Sequence, residues 1–368
     1  LAHPSSLPGP FGIGDLGPEA ERFLDWAQSA GQRLWQVLPL APTGPSGSPY
    51  SGLSAFAGNP LLISPERLVE EGFLSLLDVV PPALRDERVA FAEAAALKER
   101  LLRASWEYFS KRAAPRELGA LSDFRASPDQ GWLADWALYA AARGRAKGLP
   151  WTKWDRGLAR REAAALDSAR RELREEIAFH EYVQFLFFRQ WDRIREEARR
   201  RRILILGDIP IYLAADSADV WANQDLFALD SEGLPEAVAG VPPDYFSPSG
   251  QLWGYPLYRW ERMEKEGFSW WVRRIEANLR LFDFVRLDHF RGFVAYWSVP
   301  ASETTAESGE WLPGPGRPFF RAVSDALGEL PAVAEDLGTI TPDVRALASE
   351  LGYPGMKVLQ FAFSEPDH

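Results

Sequence analysis

No cysteine occurs in the 368 residues. Disulfides, thiolate metal sites and cysteine nucleophiles are therefore excluded. Histidine is limited to His3, His180, His289 and His368. Their spacing offers no close metal-ligand set, so no metal site is assigned. No apolar stretch reaches membrane-spanning length. The opening LAHPSSLPGPFGIGDLG lacks the basic start and apolar core of a secretory signal. A cytoplasmic protein without a membrane partner is expected. Basic residues are outnumbered, 41 Lys+Arg against 52 Asp+Glu, for a formal net charge of -11. That balance argues against a nucleic-acid partner, which would require a basic face to neutralise phosphates.

What is present in quantity is aromatic surface: 15 Trp, 22 Phe and 10 Tyr. Most such rings serve cores and helix packing. Some stand instead in Pro/Gly-rich loops, where flat apolar rings suit the apolar faces of sugar rings or nucleobases, the acidic balance disfavouring nucleic acid. Hydrophobic content of 46% and charged content of 25% are ordinary for a globular protein. The length allows one large α/β barrel with an insertion, or two ordinary domains.

Short apolar runs alternate with helical patterns. QRLWQVLPL (32–40), RILILGDIPIY (202–212), FDFVRLDH (282–289), LPAVAEDLG (330–338) and MKVLQFAF (356–363) read as strands. Runs without polar alternation suit strands buried on both faces, as in parallel sheets. Helix signals lie between them. Residues 18–31 carry Pro18 and Glu19 in the first turn and Gly31 past the end, residues 269–282 place Ser269 as N-cap, and residues 341–352 begin Thr-Pro and stop at Gly352. This order predicts right-handed βαβ units. Residues 65–165 break the rhythm, being rich in Ala, Arg, Glu and Leu at helical spacing. They are expected to be a helical insertion between a first barrel segment, 1–64, and a continuation, 166–368. Residues 167–202 form one long helix or two abutting ones, with a solvated charged face.

Three apolar runs end in acids: Asp208 in ILILGDIP, Asp288 in FVRLDH and Glu335 in AVAEDLG, where Asp336 follows. A lone aspartate at a strand end is most simply a helix cap or turn former. Three such ends favour convergence, because the C-terminal strand ends of a parallel barrel meet on one face. Residues i and i-2 of a strand share a face, so Arg286 and Asp288 point into the same space. Arginine stays charged, and beside Asp288 it is expected to lower that pKa and hold the carboxylate a nucleophile needs. Glu335 has no adjacent cation in sequence, which suits a proton-holding acid. Two carboxyls in different charge environments are what glycoside chemistry requires. His289 is either a satisfied structural residue or a hydrogen-bond partner for a sugar hydroxyl.

These motifs have a family resemblance. HPSSLPGPFGIGDLG, WQVLPLAPTG (35–44), SPYSGLSAFAGNP (48–60), GDIPIYLAADSADVWAN (207–223), PPDYFSPSGQLWGYPLY (242–258), RLDHFRGF (286–293) and AEDLGTITPDV (334–344) resemble the 4-α-glucanotransferases called amylomaltase or disproportionating enzyme, relatives of the α-amylase superfamily. The resemblance implies a (β/α)8 TIM-type barrel with helical insertions and retaining transfer on α-1,4-glucans. It implies Asp288 as nucleophile and Glu335 as acid/base. Asp208, Arg286 and His289 are implied as ligands of the sugar at the cleaved bond, with Tyr50 as a ring against it. Ser48, Asp244, Gln251 and Trp253 are implied at donor or acceptor subsites.

The loop 242–258, with Tyr245, Phe246, Trp253, Tyr255 and Tyr258, is either a packed surface loop or an aromatic lid. A lid would shield a glycosyl-enzyme from water until an acceptor sugar arrives. Pro45 stands where many relatives place an aromatic. The family's third catalytic carboxylate belongs to a His-Asp-Asn motif at the end of the seventh strand. Asp367-His368 has the reverse order and does not replace it. Six strand candidates, with a first at the very N-terminus, leave a barrel open. These residues are therefore expected to be part of a longer protein, a monomer acting on maltooligosaccharides without a cofactor. Retention requires the Asp288 and Glu335 carboxyls about 5–5.5 Å apart. The alternatives are an α-glucan hydrolase of the same superfamily, or, for these residues alone, a non-catalytic glucan-binding fragment.

Overall fold

Helix starts and strand ends fall largely where proline, glycine and the acids punctuate the chain. The computed structural model describes residues 1–44, 46–79, 88–244 and 247–363. Pro45, Tyr245, Phe246, Asp367 and His368 lie outside the described residues. The chain divides into two compact units: Leu1–Ile205 with Asp216–Ala222, and Leu206–Ala215 with Asn223 onward.

The first unit is mainly helical. Pro18–Ser29 starts with proline where no intrahelical N–H is needed, carries Glu19 and Glu21 in its first turn, and gives way to Gly31 at φ +72°. Strand β1, Leu34–Gln36, follows. The start of strand β2, Leu204–Ile209, lies beside it, the Leu204 N–H donating to the Arg33 carbonyl at 2.9 Å. The expected strand at the N-terminus is not one. Ala2 N–H donates to the Gln36 carbonyl, but Pro4–Ser6 then turns as a 3-10 helix. Pro4 has no N–H with which to extend a ladder.

Residues 167–202 resolve into two helices, Ala163–Glu172 and Arg174–Arg200, divided at Leu173. The second buries Phe179, Tyr182, Val183, Leu186, Phe187, Trp191 and Ile194, a stripe at helical spacing. Two polar residues are buried with it. Gln184 accepts from Gly58 N–H at 2.7 Å and donates to Gly58 C=O at 3.0 Å. Gln190 does the same for Ser64, at 2.7 and 3.2 Å. Gly58 is required here, since a Cβ would stand 1.9 Å from the Phe187 ring. Lys98, fully buried, donates to Asp15 at 2.5 Å and to the Ile63 carbonyl at 2.7 Å.

The second unit holds a parallel arrangement of β2, β5 (Phe284–Leu287) and β8 (Ala332–Ala334). Helix Ser269–Leu281 leads into β5, Gly316–Leu327 precedes β8, and Pro342–Glu350 follows it. The N-cap of the first of these is Phe268, in the left-handed region, and not Ser269, which is already helical. A separate antiparallel sheet, in the order β4-β3-β6-β7, is built from β3 (Ala237–Val241), β4 (Gln251–Pro256), β6 (Ala295–Pro300) and β7 (Glu310–Pro313). Residues 251–256 are thus a strand, not part of a free lid, because Gly240 and Val241 pair with Leu252 and Gln251. The expected strand at 356–363 is corrected as well: Leu359–Phe363 is a 3-10 turn. Among the described residues no helix is long and apolar enough to cross a membrane.

Candidate active site

Within the second unit the parallel register places Asp208 opposite Arg286, and Arg286 opposite Val333. Gly207, one residue before Asp208, lets the Phe282 ring lie against the backbone; a Cβ there would come within 2.0 Å of it. The strand ends are also tied by main chain: Asp288 N–H donates to the Ile209 carbonyl and Glu335 N–H to the Leu287 carbonyl, both at 3.1 Å. Asp208, Arg286, Asp288, His289 and Glu335 are brought together.

One guanidinium serves two aspartates. Arg286 Nη1 donates to Asp208 Oδ1 at 2.7 Å and Oδ2 at 2.9 Å, and stands 2.7 Å from Asp288 Oδ1. Asp208 is 2% exposed, whereas the Asp288 side chain keeps 24% of its surface open. Burial pushes the Asp288 carboxyl above its ordinary value, opposed by Arg286 and more weakly by the charge of Arg274. The expected lowering is therefore overturned. Arg286 acts in the expected direction, but its charge is shared with Asp208 and burial outweighs it.

Glu335, 8% exposed, is held by two backbone amides: His289 N–H donates to Oε2 at 2.9 Å and Leu337 N–H to Oε1 at 2.8 Å. Burial raises its pKa, with the Asp288 charge reinforcing it and the two N–H groups and Arg286 opposing. The two acids thus sit in different environments, one against a guanidinium and one in a pair of backbone amides.

His289 adopts φ 48°, ψ 53°, a left-handed conformation uncommon outside glycine. Such strain costs of order 1–3 kcal/mol and clusters at functional sites. Burial, aided by Arg291, lowers its pKa to about 4, so the imidazole is neutral near pH 7. Its Nε2 is buried with no hydrogen-bond partner among the described residues. Trp253 of β4 stands edge-to-face against it, centroids 4.8 Å apart at 87°, and lies 6.3 Å from Tyr212.

The other expected subsite residues are placed less tightly. Gln251 accepts from Trp253 Nε1 at 3.2 Å, within β4. Asp244 accepts from Ser247 N–H at 2.8 Å. Ser48 and Tyr50 belong to the first unit, where Ser48 Oγ accepts from Tyr50 N–H at 3.3 Å. The segment after them is fixed there: Ala55 N–H donates to Asp219 at 2.7 Å and Ala218 N–H to the Leu53 carbonyl at 2.9 Å.

Two residues escaped the sequence reading. Arg274, buried, donates to the Pro210 carbonyl at 2.6 Å and to that of Ile211 at 3.3 Å, bracing the chain after Asp208. Met356 touches Arg286. Arg274 had a signal in its place on the apolar stripe of its helix, but Met356 had none. No cluster able to hold a metal ion is found among the described residues.

The chain matches the glycoside hydrolase family 77 model, described as 4-alpha-glucanotransferase, over residues 2–368. It is 51% identical over 365 residues to the 4-alpha-glucanotransferase of Thermus thermophilus, covering 99% of this chain and 72% of that protein. It is 51% identical over 369 residues to that of Synechocystis sp., with the same shares, 99% and 72%. Among solved structures, the amylomaltase from Streptococcus agalactiae in complex with acarbose superposes with a TM-score of 0.94 at 39% identity, over 98% of this chain and 73% of that one.

Proposed function

The chain belongs to the 4-alpha-glucanotransferase family, and from that premise we propose that its strand-end acids carry out transfer by retaining double displacement. Its fold is the α/β, TIM-barrel-type fold of the amylomaltases, its activity is 4-α-glucan transfer, and its substrates are glucans. In the proposed reaction Asp288 attacks the anomeric carbon. The glycosidic bond breaks as Glu335 gives its proton to the leaving oxygen. The remaining glucan is then held as an ester of Asp288. Glu335, now a base, takes the proton of an acceptor hydroxyl. That oxygen attacks the same carbon and the ester breaks, so the α configuration is restored.

The observation that carries this reading is the unlike setting of the two acids. Asp288 meets the Arg286 guanidinium, which favours the ionised form needed for attack. Glu335 takes its two hydrogen bonds from backbone amides, and its raised pKa suits a proton donor. Asp208 and the neutral His289, whose Nε2 has no hydrogen-bond partner among the described residues, are read as ligands of sugar hydroxyls. Trp253 is read as a ring against the glucan, and Asp244 and Gln251 as subsite contacts. Acarbose in the streptococcal relative fits a site for α-linked sugar residues. Residues 65–165 are read as an insertion in the barrel, and the enzyme as a monomer acting on maltooligosaccharides.

Incubation with maltotriose tests the activity. Transfer yields a ladder of longer sugars together with glucose. Accumulation of shorter sugars alone would assign the same carboxylates to hydrolysis.

A further inference from the structure

Arg286 has a third partner besides its two aspartates. Its Nε–H donates to the thioether sulfur of Met356 at 3.1 Å. The chain has only two methionines, so this placement is not a by-product of a methionine-rich core. The segment Pro354-Gly355-Met356 has no regular secondary structure, yet it is pinned at three points. Ala334 N–H, at the end of β8, donates to the Pro354 carbonyl at 2.9 Å. Met356 N–H donates to Asp336 Oδ1 at 2.7 Å. Gly355 lies so close to the same carboxylate that a Cβ would stand 2.1 Å from Asp336 Oδ2.

We propose that Asp336, Gly355 and Met356 form a clamp on the Arg286 fork, which makes Met356 a positioning residue for glucan transfer. This rests on the reading of Asp288 as nucleophile. A guanidinium is a rigid plane, so fixing the direction of Nε fixes where both Nη atoms stand. A thioether is a weak, polarizable and neutral acceptor. It meets the Nε–H without adding a negative charge, which leaves the cation directed at Asp208 and Asp288. A carboxylate in its place would set a third anion against one arginine. The clamp also joins the two acids: Asp336 follows Glu335 directly, and Arg286 precedes Asp288 by two residues. The charged or titratable groups that bear on Asp288 are Arg286, Arg274 and Glu335, with Asp208 sharing the guanidinium and neutral His289 adjacent.

The test compares Met356→Leu, which keeps the volume and deletes the acceptor, with Met356→Gln, which restores a neutral acceptor. The leucine variant is expected to lose about tenfold in kcat, with KM within about twofold, as for a hydrogen bond made to a charged group. A loosened Arg286 favours ionised Asp288 less, so the acid limb of kcat/KM moves to higher pH. Met356→Gln is expected to recover most of kcat and to return the limb. Asp336→Ala, which frees the Met356 N–H, is expected to behave as the leucine variant, and Asp336→Asn, which keeps an acceptor oxygen, close to the parent enzyme. A folded Met356→Leu with parental kcat and an unmoved limb overturns the clamp, as does a glutamine variant no better than leucine. Should Met356→Leu not fold, a parental limb in Asp336→Ala overturns it instead. Asp288→Asn is assayed beside them. Turnover there removes the underlying reading, whereas an inactive Asp288→Asn next to a parental Met356→Leu removes the clamp alone.

Discussion

Both units bury polar side chains, and the set around residues 58–64 of the first works in the opposite way to the set around Arg286 of the second. In the first, Gln184, Gln190 and Lys98 each satisfy main-chain groups of the segment 58–64, with Asp15 balancing the lysine. Every one of these contacts matches a donor to an acceptor, and their result is a fixed backbone. In the second, one guanidinium is divided between two aspartates, both proposed catalytic carboxyls are pushed above their ordinary pKa, and a left-handed histidine buries a nitrogen with no partner among the described residues. Such a site holds groups in readiness for a ligand at the expense of its own satisfaction. Substitutions at Gly58, Gln184 and Gln190 should therefore be felt in stability, and those at Arg286 and Asp288 in rate.

The largest effect is expected for Asp288→Asn: a loss of about 10⁴-fold or more in transfer, as for removal of a nucleophile, with maltooligosaccharide affinity by calorimetry nearly unchanged. Next, Arg286→Met should cost about 10²–10³-fold in kcat, the scale of removing a charge-stabilising donor. The sign of its pH effect is fixed. Arg286 favours ionised Asp288, so its removal raises that pKa further, and a pH–rate profile should show the acid limb displaced upward. The two acids influence each other, so the limbs report the pair. In the first unit, Gly58→Ala forces a Cβ into the Phe187 ring and should destabilise by about 3 kcal/mol in denaturant unfolding. Gln190→Leu strands the Ser64 N–H and C=O and should cost about 2 kcal/mol, with kcat of the folded fraction unchanged. A rate effect of Gln190→Leu larger than its stability effect would break the comparison between the units.

How much of this was written in the sequence differs by feature. Strands β2, β5 and β8 were legible because each is an apolar run, as a strand buried on both faces requires, and an acid marks where the run stops. The antiparallel sheet was not, since AVAGV, QLWGYP, AYWSVP and EWLP are short and carry the glycines and prolines that usually mark loops. MKVLQFAF looked like a strand by composition, but the Asp336 and Ala334 contacts hold the chain before it in another course, and a 3-10 turn follows. That Arg286 would meet Asp288 followed from their i, i+2 spacing. That Asp208 would take half of the same guanidinium, and that burial would outweigh it, depended on strand register and packing density, which no local pattern encodes. Gln184 and Gln190 sit in a helix whose polar residues otherwise describe a solvated face, so nothing local distinguished them.

The central claim is that Asp288 becomes covalently glycosylated while Glu335 moves the proton. It is tested most directly by reacting a Glu335→Gln variant with an α-maltosyl fluoride, whose leaving group needs no protonation, followed by peptide mass mapping. The expected result is a glycosyl mass increment on the peptide that contains Asp288, which persists when an acceptor maltooligosaccharide is added, because the base for its hydroxyl is gone, and is released by azide, a nucleophile that needs no base. An increment on any other peptide, or fluoride release without a labelled enzyme, would contradict it.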